Sequence, residues 1–235
     1  GYTLLLVASP FTTVAASLPT AGYDALRGFA PVGLVATGPL VWASNVSLPV
    51  ASMKDVVELA RQKPGALNYG SAGAGGVNHL VLEQLKAITS TDIAHIPYRG
   101  VAPATVDMIA GQIQLVTGTI PALAPFVRDG RVKALAVTTA KRSSAAPDIP
   151  TVAETVPGFE ATTWFALFAP ANTPKPIIDR LNAEVQRVYR LPDVQERMQK
   201  LGLEAVLSSP EELARYQQIE IVKWAKVVKE SGAKA

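Results

Sequence analysis

Ala30–Asn45 reads APVGLVATGPLVWASN, an extended apolar run carrying Val32, Val35 and Val41, with Gly38-Pro39 as punctuation. A second such run, FEATTWFALFAP at Phe159–Pro170, is unusually long for a simple strand. Between the two, strands and helices alternate. SMKDVVELARQKPG has a Ser cap, helical spacing and a Pro-Gly stop. LNYGS and TDIAHIPYRG read as strands, each followed by a helical pattern, VNHLVLEQLKAIT and PATVDMIAGQ. The strand QIQLVTGT, the helix PALAPFVRDG and the strand VKALAVTTA complete the block. Strand, loop and helix repeated in this way argue for parallel βαβ units.

The two extended runs, near 33–45 and 162–169, bracket that block, so the chain is expected to cross to a second lobe on the first and return on the second. The expected architecture is α/β and two-lobed: 1–42 with 166–235 form lobe 1, 43–165 form lobe 2, and a cleft lies between. At the start, GYTLLLVAS reads as a short apolar strand ending in a small-residue loop; Gly1–Val7 looks like a buried strand already under way, as if its beginning had been lost. Past Pro150 a short helix around TVAETV is expected, and Ser143–Pro150 reads as a surface loop. Three helical stretches begin at Pro174, Pro192 and Pro210, proline being at home in a first helical turn. The last carries Leu213, Tyr216, Ile219, Val222 and Trp224 between charges, the pattern of a surface helix packing one face.

Composition narrows the function. With 235 residues, 49% hydrophobic and 17% charged, the chain has the material for a globular core or two. A net charge of +3 with no basic run makes nucleic acid a poor partner. No apolar stretch reaches the roughly 20 residues of a membrane span. The absence of cysteine removes disulfides, thiolate metal sites and cysteine nucleophiles. No basic n-region of a signal peptide is visible.

The loops are more informative. In NYGSAGAGGVNHL (Asn68–Leu80) the glycines lie at a strand-to-helix turn, where helix N-terminal amides make a seat for an anion. Gly73, Gly75 and Gly76 let a ligand approach, and Ser71 can add a hydroxyl donor. The stretch fits neither the Walker pattern nor GxGxxG, which disfavours a nucleotide; a plain tight turn is the competing reading. At PYRGVAP, Gly100 precedes another helix, and Tyr98 and Arg99 suit a carboxylate, against strand-end packing for the first and an ordinary surface salt bridge for the second. VTGTIPA supplies the hydroxyls of Thr117 and Thr119. Loops at the carboxyl ends of neighbouring parallel strands converge on one crevice. His79 falls in the helix after the glycines, and His95 in mid-strand, where packing or a backbone bond is its simplest role. Two histidines without clustered carboxylates make no metal site, G-x-S-x-G is absent, and Asp107, Asp129, Glu154 and Asp179 suggest no working pair. An enzyme is therefore not expected, nor a cofactor.

Taken together, GYTLLL, the run from FAPVGLVATGPLVWASN through LNYGSAGAGGVNHLVLEQLK, IPYRGVAPATVDMIAGQI, VKALAVTTAKRSSAAPDIPTVAE and WFALFAPANTPKPIIDRLNAEV resemble the substrate-binding receptors of tripartite tricarboxylate transporters, the Bug or TctC family. The resemblance implies a periplasmic binding protein of type II, a Venus flytrap that closes on a small organic acid and presents it to permease subunits in the membrane. It implies a monomer, with a dicarboxylate, tricarboxylate or aromatic carboxylate as ligand. Carried over, the ligand-contacting positions are Ser9, Phe11 and Thr12; Ser71, Ala72, Gly73, Gly75, Gly76 and His79; Tyr98, Arg99 and Gly100; Thr117 and Thr119; and Trp164 with Phe165 beside the crossover. It turns the anion of the glycine loop into a carboxylate. Family members carry an earlier strand, a Pro- and Gly-rich loop and a helix, so the first βα segment of lobe 1 is expected to be missing here. An acidic residue that such receptors often hold near Gly118, able to meet an amino group, is absent, which points away from amino acids. A sensory ligand-binding domain and an enzyme acting on a carboxylated substrate are the alternatives.

Overall fold

Pro39 is where the chain changes sheets. The computed structural model describes residues 3–18 and 21–233; Gly1 and Tyr2 of the expected first strand lie outside them. Before Pro39 come β1 (Leu5–Ala8), α1 (Pro10–Ser17) and β2 (Phe29–Gly38); after it, β3 (Leu40–Asn45) starts in another sheet. There follow α2 (Met53–Gln62), β4 (Asn68–Ser71), α3 (Val77–Thr89), β5 (Ala94–Pro97), α4 (Val101–Ile109), β6 (Leu115–Thr119), α5 (Ile120–Arg128) and β7 (Val132–Val137). A single 3-10 turn, Val152–Glu154, leads to β8 (Thr163–Pro170), then α6 (Lys175–Tyr189), α7 (Pro192–Lys200), β9 (Glu204–Ala205) and α8 (Pro210–Ser231).

Two sheets result, a four-stranded one ordered β1-β8-β2-β9 and a five-stranded one ordered β5-β4-β6-β3-β7. The fold is α/β and two-lobed, as its sequence implies. The five-stranded sheet is not wholly parallel, however. β4 runs parallel to β5 and β6, but β3 enters from the crossover, with Leu40 opposite Thr119, and so runs antiparallel to both β6 and β7. One face of this sheet packs on α2 and α3 through Trp42, Tyr69, Leu80 and Leu115. The other packs on α4 and α5 through Val41, Met108, Val116 and Leu123. In the four-stranded sheet all pairings are antiparallel. Leu34, Trp164 and Phe168 face α8, while Val32 and Ala169 face α6.

Three local expectations change. Among the described residues the opening strand pairs with β8 alone, and Leu5 and Leu6 on it, with Leu4 just before it, are exposed rather than buried. The small-residue loop after it is a helix, α1, started by Ser9-Pro10. The buried face of α8 is Leu213, Gln217, Glu220, Trp224 and Val227, leaving Ile219 and Val222 in solvent. Two polar residues take the inner face because each finds partners there: Gln217 Nε2 donates to the carbonyl of Ala25, and Glu220 Oε2 accepts from the indole N–H of Trp224 at 2.9 Å and of Trp164 at 3.2 Å. The helix also joins two cores. Leu213 and Tyr216 pack with the four-stranded sheet, whereas Trp224, Val227 and Val228 pack in the core that holds Leu80, Val81 and Leu85 of α3.

Candidate ligand site

Strands β4, β5 and β6 are parallel neighbours; β4 and β5 run through short turns into α3 and α4, and β6 runs directly into α5. Like α1, α6 and α7, these helices lack the side-chain caps found elsewhere in the chain. α2, the 3-10 turn and α8 begin with complete capping boxes, Ser52 with Asp55, Thr151 with Glu154 and Ser209 with Glu212. The N-caps of α3, α4 and α5 are Gly76, Gly100 and Thr119, and none of them makes a side-chain cap bond. Leaving these first-turn amides open exposes their donors and the positive end of each helix.

At α3 the consequence is a cluster of donors. The amides of Ala74, Gly76, Val77, Asn78 and His79 find no acceptor among the described residues. Two glycines that flank Ala74 are held inward instead: Gly73 N–H donates to Ser71 Oγ at 3.2 Å, and Gly75 N–H to His79 Nδ1 at 3.1 Å. Gly73 sits at φ +137° and Gly75 at φ +72°, backbone that side-chain-bearing residues rarely adopt, which favours glycine at both.

Ser71 is not a free donor. It is buried, with Oγ 3.0 Å from Gly73 O and 2.6 Å from His95 Nε2. The imidazoles of His79 and His95 stack with centroids 3.8 Å apart and planes 10° apart. Burial, with His79 beside it, lowers the pKa of His95 from 6.5 to about 4. Burial pushes the Glu83 carboxyl up, but hydrogen bonds from His79 and Lys86 outweigh it and hold Glu83 below its ordinary value. Thr117 is likewise committed: its hydroxyl meets Tyr69 Oη and, at 3.0 Å, Asn78 Nδ2, underneath the first turn of α3. Tyr69 Oη donates to Asn78 O at 2.7 Å. Tyr69, Asn78 and His95 thus brace the loop, a role that their strand and helix positions in the sequence do not announce.

The other expected residues divide. Tyr98 joins the loop through its amide, which donates to Ser71 O at 3.0 Å, while its phenol donates to Asp107 at 2.8 Å. Ala72 and Arg99 are exposed, and Arg99 has neither the surface salt bridge nor any other ion pair among the described residues. Gly100, at φ +123°, and the half-exposed Thr119 stand at the mouths of α4 and α5. A Cβ at Gly118 would lie 3.0 Å from Val101, the first residue of α4, and 3.1 Å from Leu123 of α5. On the other sheet, Ser9 Oγ lies 3.4 Å from Thr163 Oγ1 beside the crossover, and Thr12 Oγ1 donates to Ser9 O. Phe11 stacks on Tyr23 at 5.2 Å and packs with Phe29 and Phe168, Trp164 is fully buried against Glu220, and Phe165 is a half-buried strand residue opposite Ala8. Those three are not brought to the glycine loop.

Comparison with known proteins identifies the family. A family model described as the tripartite tricarboxylate transporter family receptor matches residues 1–233. Protein BugT of Bordetella pertussis is 33% identical over 237 residues, covering all of this chain and 73% of that protein. The solved structure of R. palustris Rpa4515 with adipate superposes with a TM-score of 0.89 at 35% identity, covering 100% of this chain and 79% of that one. MatC of Rhodopseudomonas palustris, solved with bound malate, gives 0.82 at 30% identity, with 96% and 79% covered. Matched by that family model over residues 1–233, the chain belongs to the tripartite tricarboxylate transporter receptors, a family of solute-binding proteins.

Proposed function

We propose that this protein captures a small organic acid between its two sheets, seating one carboxylate on the open amides at the start of α3, and delivers it to the permease of a tripartite tricarboxylate transporter from the periplasm. The observation that carries the reading is the set of five amides, Ala74 and Gly76 to His79, without a protein acceptor. Lobe 1 would carry the four-stranded sheet and lobe 2 the five-stranded one, with the changes at Pro39 and near Thr162 acting as hinges. A dicarboxylate is the first class to try, a choice supported by two similar proteins, 35% and 30% identical, that were solved with adipate and malate.

A catalytic reading finds one supporting contact, the 2.6 Å from Ser71 Oγ to His95 Nε2, the spacing of a nucleophile and its base. Against it, Ser71 is 1% exposed, and no carboxylate bonds the other nitrogen of His95 among the described residues. The contact belongs to the loop's support.

A thermal-shift screen tests the proposal. Adipate, malate, citrate, benzoate and inorganic phosphate are each added at millimolar concentration. A ligand at about 100 times its Kd stabilises the folded protein by roughly 2.7 kcal/mol, a shift of several degrees. At least one carboxylate is expected to raise the midpoint while phosphate does not. A flat response to every acid, or an equal response to phosphate, would overturn the reading.

A further inference from the structure

Beneath the glycine loop runs a line of contacts that no ligand needs to touch. Gly75 N–H donates to His79 Nδ1 at 3.1 Å, and a backbone amide can only donate, so Nδ1 carries no proton. Nε2 of His79 therefore holds the ring's proton, turned toward Glu83 Oε1 at 3.7 Å. At the other ring the partners are Ser71 Oγ and, through it, Gly73. The serine oxygen receives Gly73 N–H and has a single proton of its own, which Gly73 O can take at 3.0 Å. One donor per contact is achieved when His95 Nε2–H donates to Ser71. Each ring thus ends on one of the two glycines whose positive φ shapes the loop.

We propose that His79 and His95 are positioning residues of the anion seat: a stacked, uncharged pair, each protonated on Nε2, that fixes Gly75 directly and Gly73 through Ser71, and so aims the open amides. The proposal rests on the carboxylate reading of this loop. Its physical basis is a difference between α3 and the capped helices. In a complete capping box the N-cap side chain takes up the amide of the third helical residue, as Ser52 does for Asp55 and Ser209 for Glu212. In α3 the third residue is His79, and its side chain reaches back to Gly75, one residue before the N-cap. Only half of the box is built, and it orders the loop without consuming the amides of Asn78 and His79. Glycine loops lose the most entropy on ordering, so a loop fixed before the ligand arrives binds more tightly.

Four variants separate hydrogen bonding from packing. His79→Asn offers Oδ1 where Nδ1 stood, and His95→Gln offers Nε2 where the ring nitrogen stood; His79→Phe and His95→Phe keep a stacked ring and lose the bonds. Adipate and malate are titrated by calorimetry, amide exchange of residues 73–79 is followed without ligand, and long-range 15N–1H spectra of the wild type read the tautomers at pH 7. The expected results are both histidines protonated on Nε2, affinity weakened on the order of tenfold in the Phe variants, the worth of one hydrogen bond, and restored to within about threefold by Asn and Gln. Loop exchange should quicken only in the Phe variants. A proton on Nδ1 of either ring, or Phe variants that bind and exchange like the wild type, would overturn the proposal. Should the wild type bind neither acid while tautomers and exchange behave as stated, the choice of a dicarboxylate falls and the fixation of the loop by the two histidines stands.

Discussion

His95 illustrates how one residue's environment can be invisible in its neighbours along the chain. Mid-strand placement suggested packing or a backbone bond, yet its nitrogen meets the side chain of Ser71, which lies 24 positions earlier and becomes adjacent only because β4 and β5 pair in parallel. The glycines stand out in the sequence, and the structure gives two of them, Gly73 and Gly75, a positive φ; His79 entered only through the family resemblance, and its bond to Gly75 had no signal of its own. Thr117 and Ser71 were readable as polar residues near a helix mouth, but not as ones whose hydroxyls are spent inside. The depressed pKa of His95 has a consequence for stability. Unfolded, the imidazole takes a proton near its ordinary 6.5; folded, it resists until about pH 4. Between those values the unfolded chain binds more protons, so this group's contribution is complete above about 6.5, is lost as pH falls toward 4, and changes no further below. The thermal midpoint of wild type should decline over that window more steeply than that of His95→Gln, which has nothing to titrate there. Parallel slopes would show that His95 is not held neutral by the fold.

Among the elements, the helices introduced by Pro192 and Pro210, and the one that follows Pro174, announce themselves, because proline at a first turn and a Ser with a carboxylate three residues on are local signals. The direction of β3 was not legible, since strand polarity depends on where the chain enters a sheet and not on its composition. The buried face of α8 was misread for a related reason: hydrophobic spacing picks out Ile219 and Val222, while the core receives Gln217 and Glu220. Glu220 ties this helix to β8 by accepting two indole N–H groups on one oxygen. Glu220→Leu would leave both donors buried and unmatched, at roughly 1–3 kcal/mol each. A total loss of about 2–6 kcal/mol in urea denaturation is expected, with Glu220→Gln, whose carbonyl can still accept, recovering most of it. Equal stability of the Leu variant would mean that the indoles find other acceptors.

Across the whole molecule, the two-sheet plan was legible because two long extended runs flank a block of alternating elements, and a single strand cannot use that much apolar chain. Where the cores divide was less so. The segment after β8 looked like the property of one lobe, but Trp224 and Val227 lie with Leu80 and Leu85 of the five-stranded sheet's core, while Leu213 lies with the other. Shared packing of this kind couples the stabilities of the two halves. Unfolding monitored by far-ultraviolet circular dichroism and by tryptophan fluorescence, with Trp42 in one sheet and Trp164 in the other, should give coincident curves. Trp224→Ala is expected to cost about 3–5 kcal/mol. If the lobes were independent, that variant would split the curves in two.

The same straddling helix has a mechanical meaning. Beside the two strand crossings, α8 is a third tie between the halves, and a packed helix can roll or tilt against its neighbours more cheaply than it can stretch. Opening and shutting would then resemble a book turning about its spine: the pages swing, the binding holds its length, and the gap widens most at the edge farthest from Trp224.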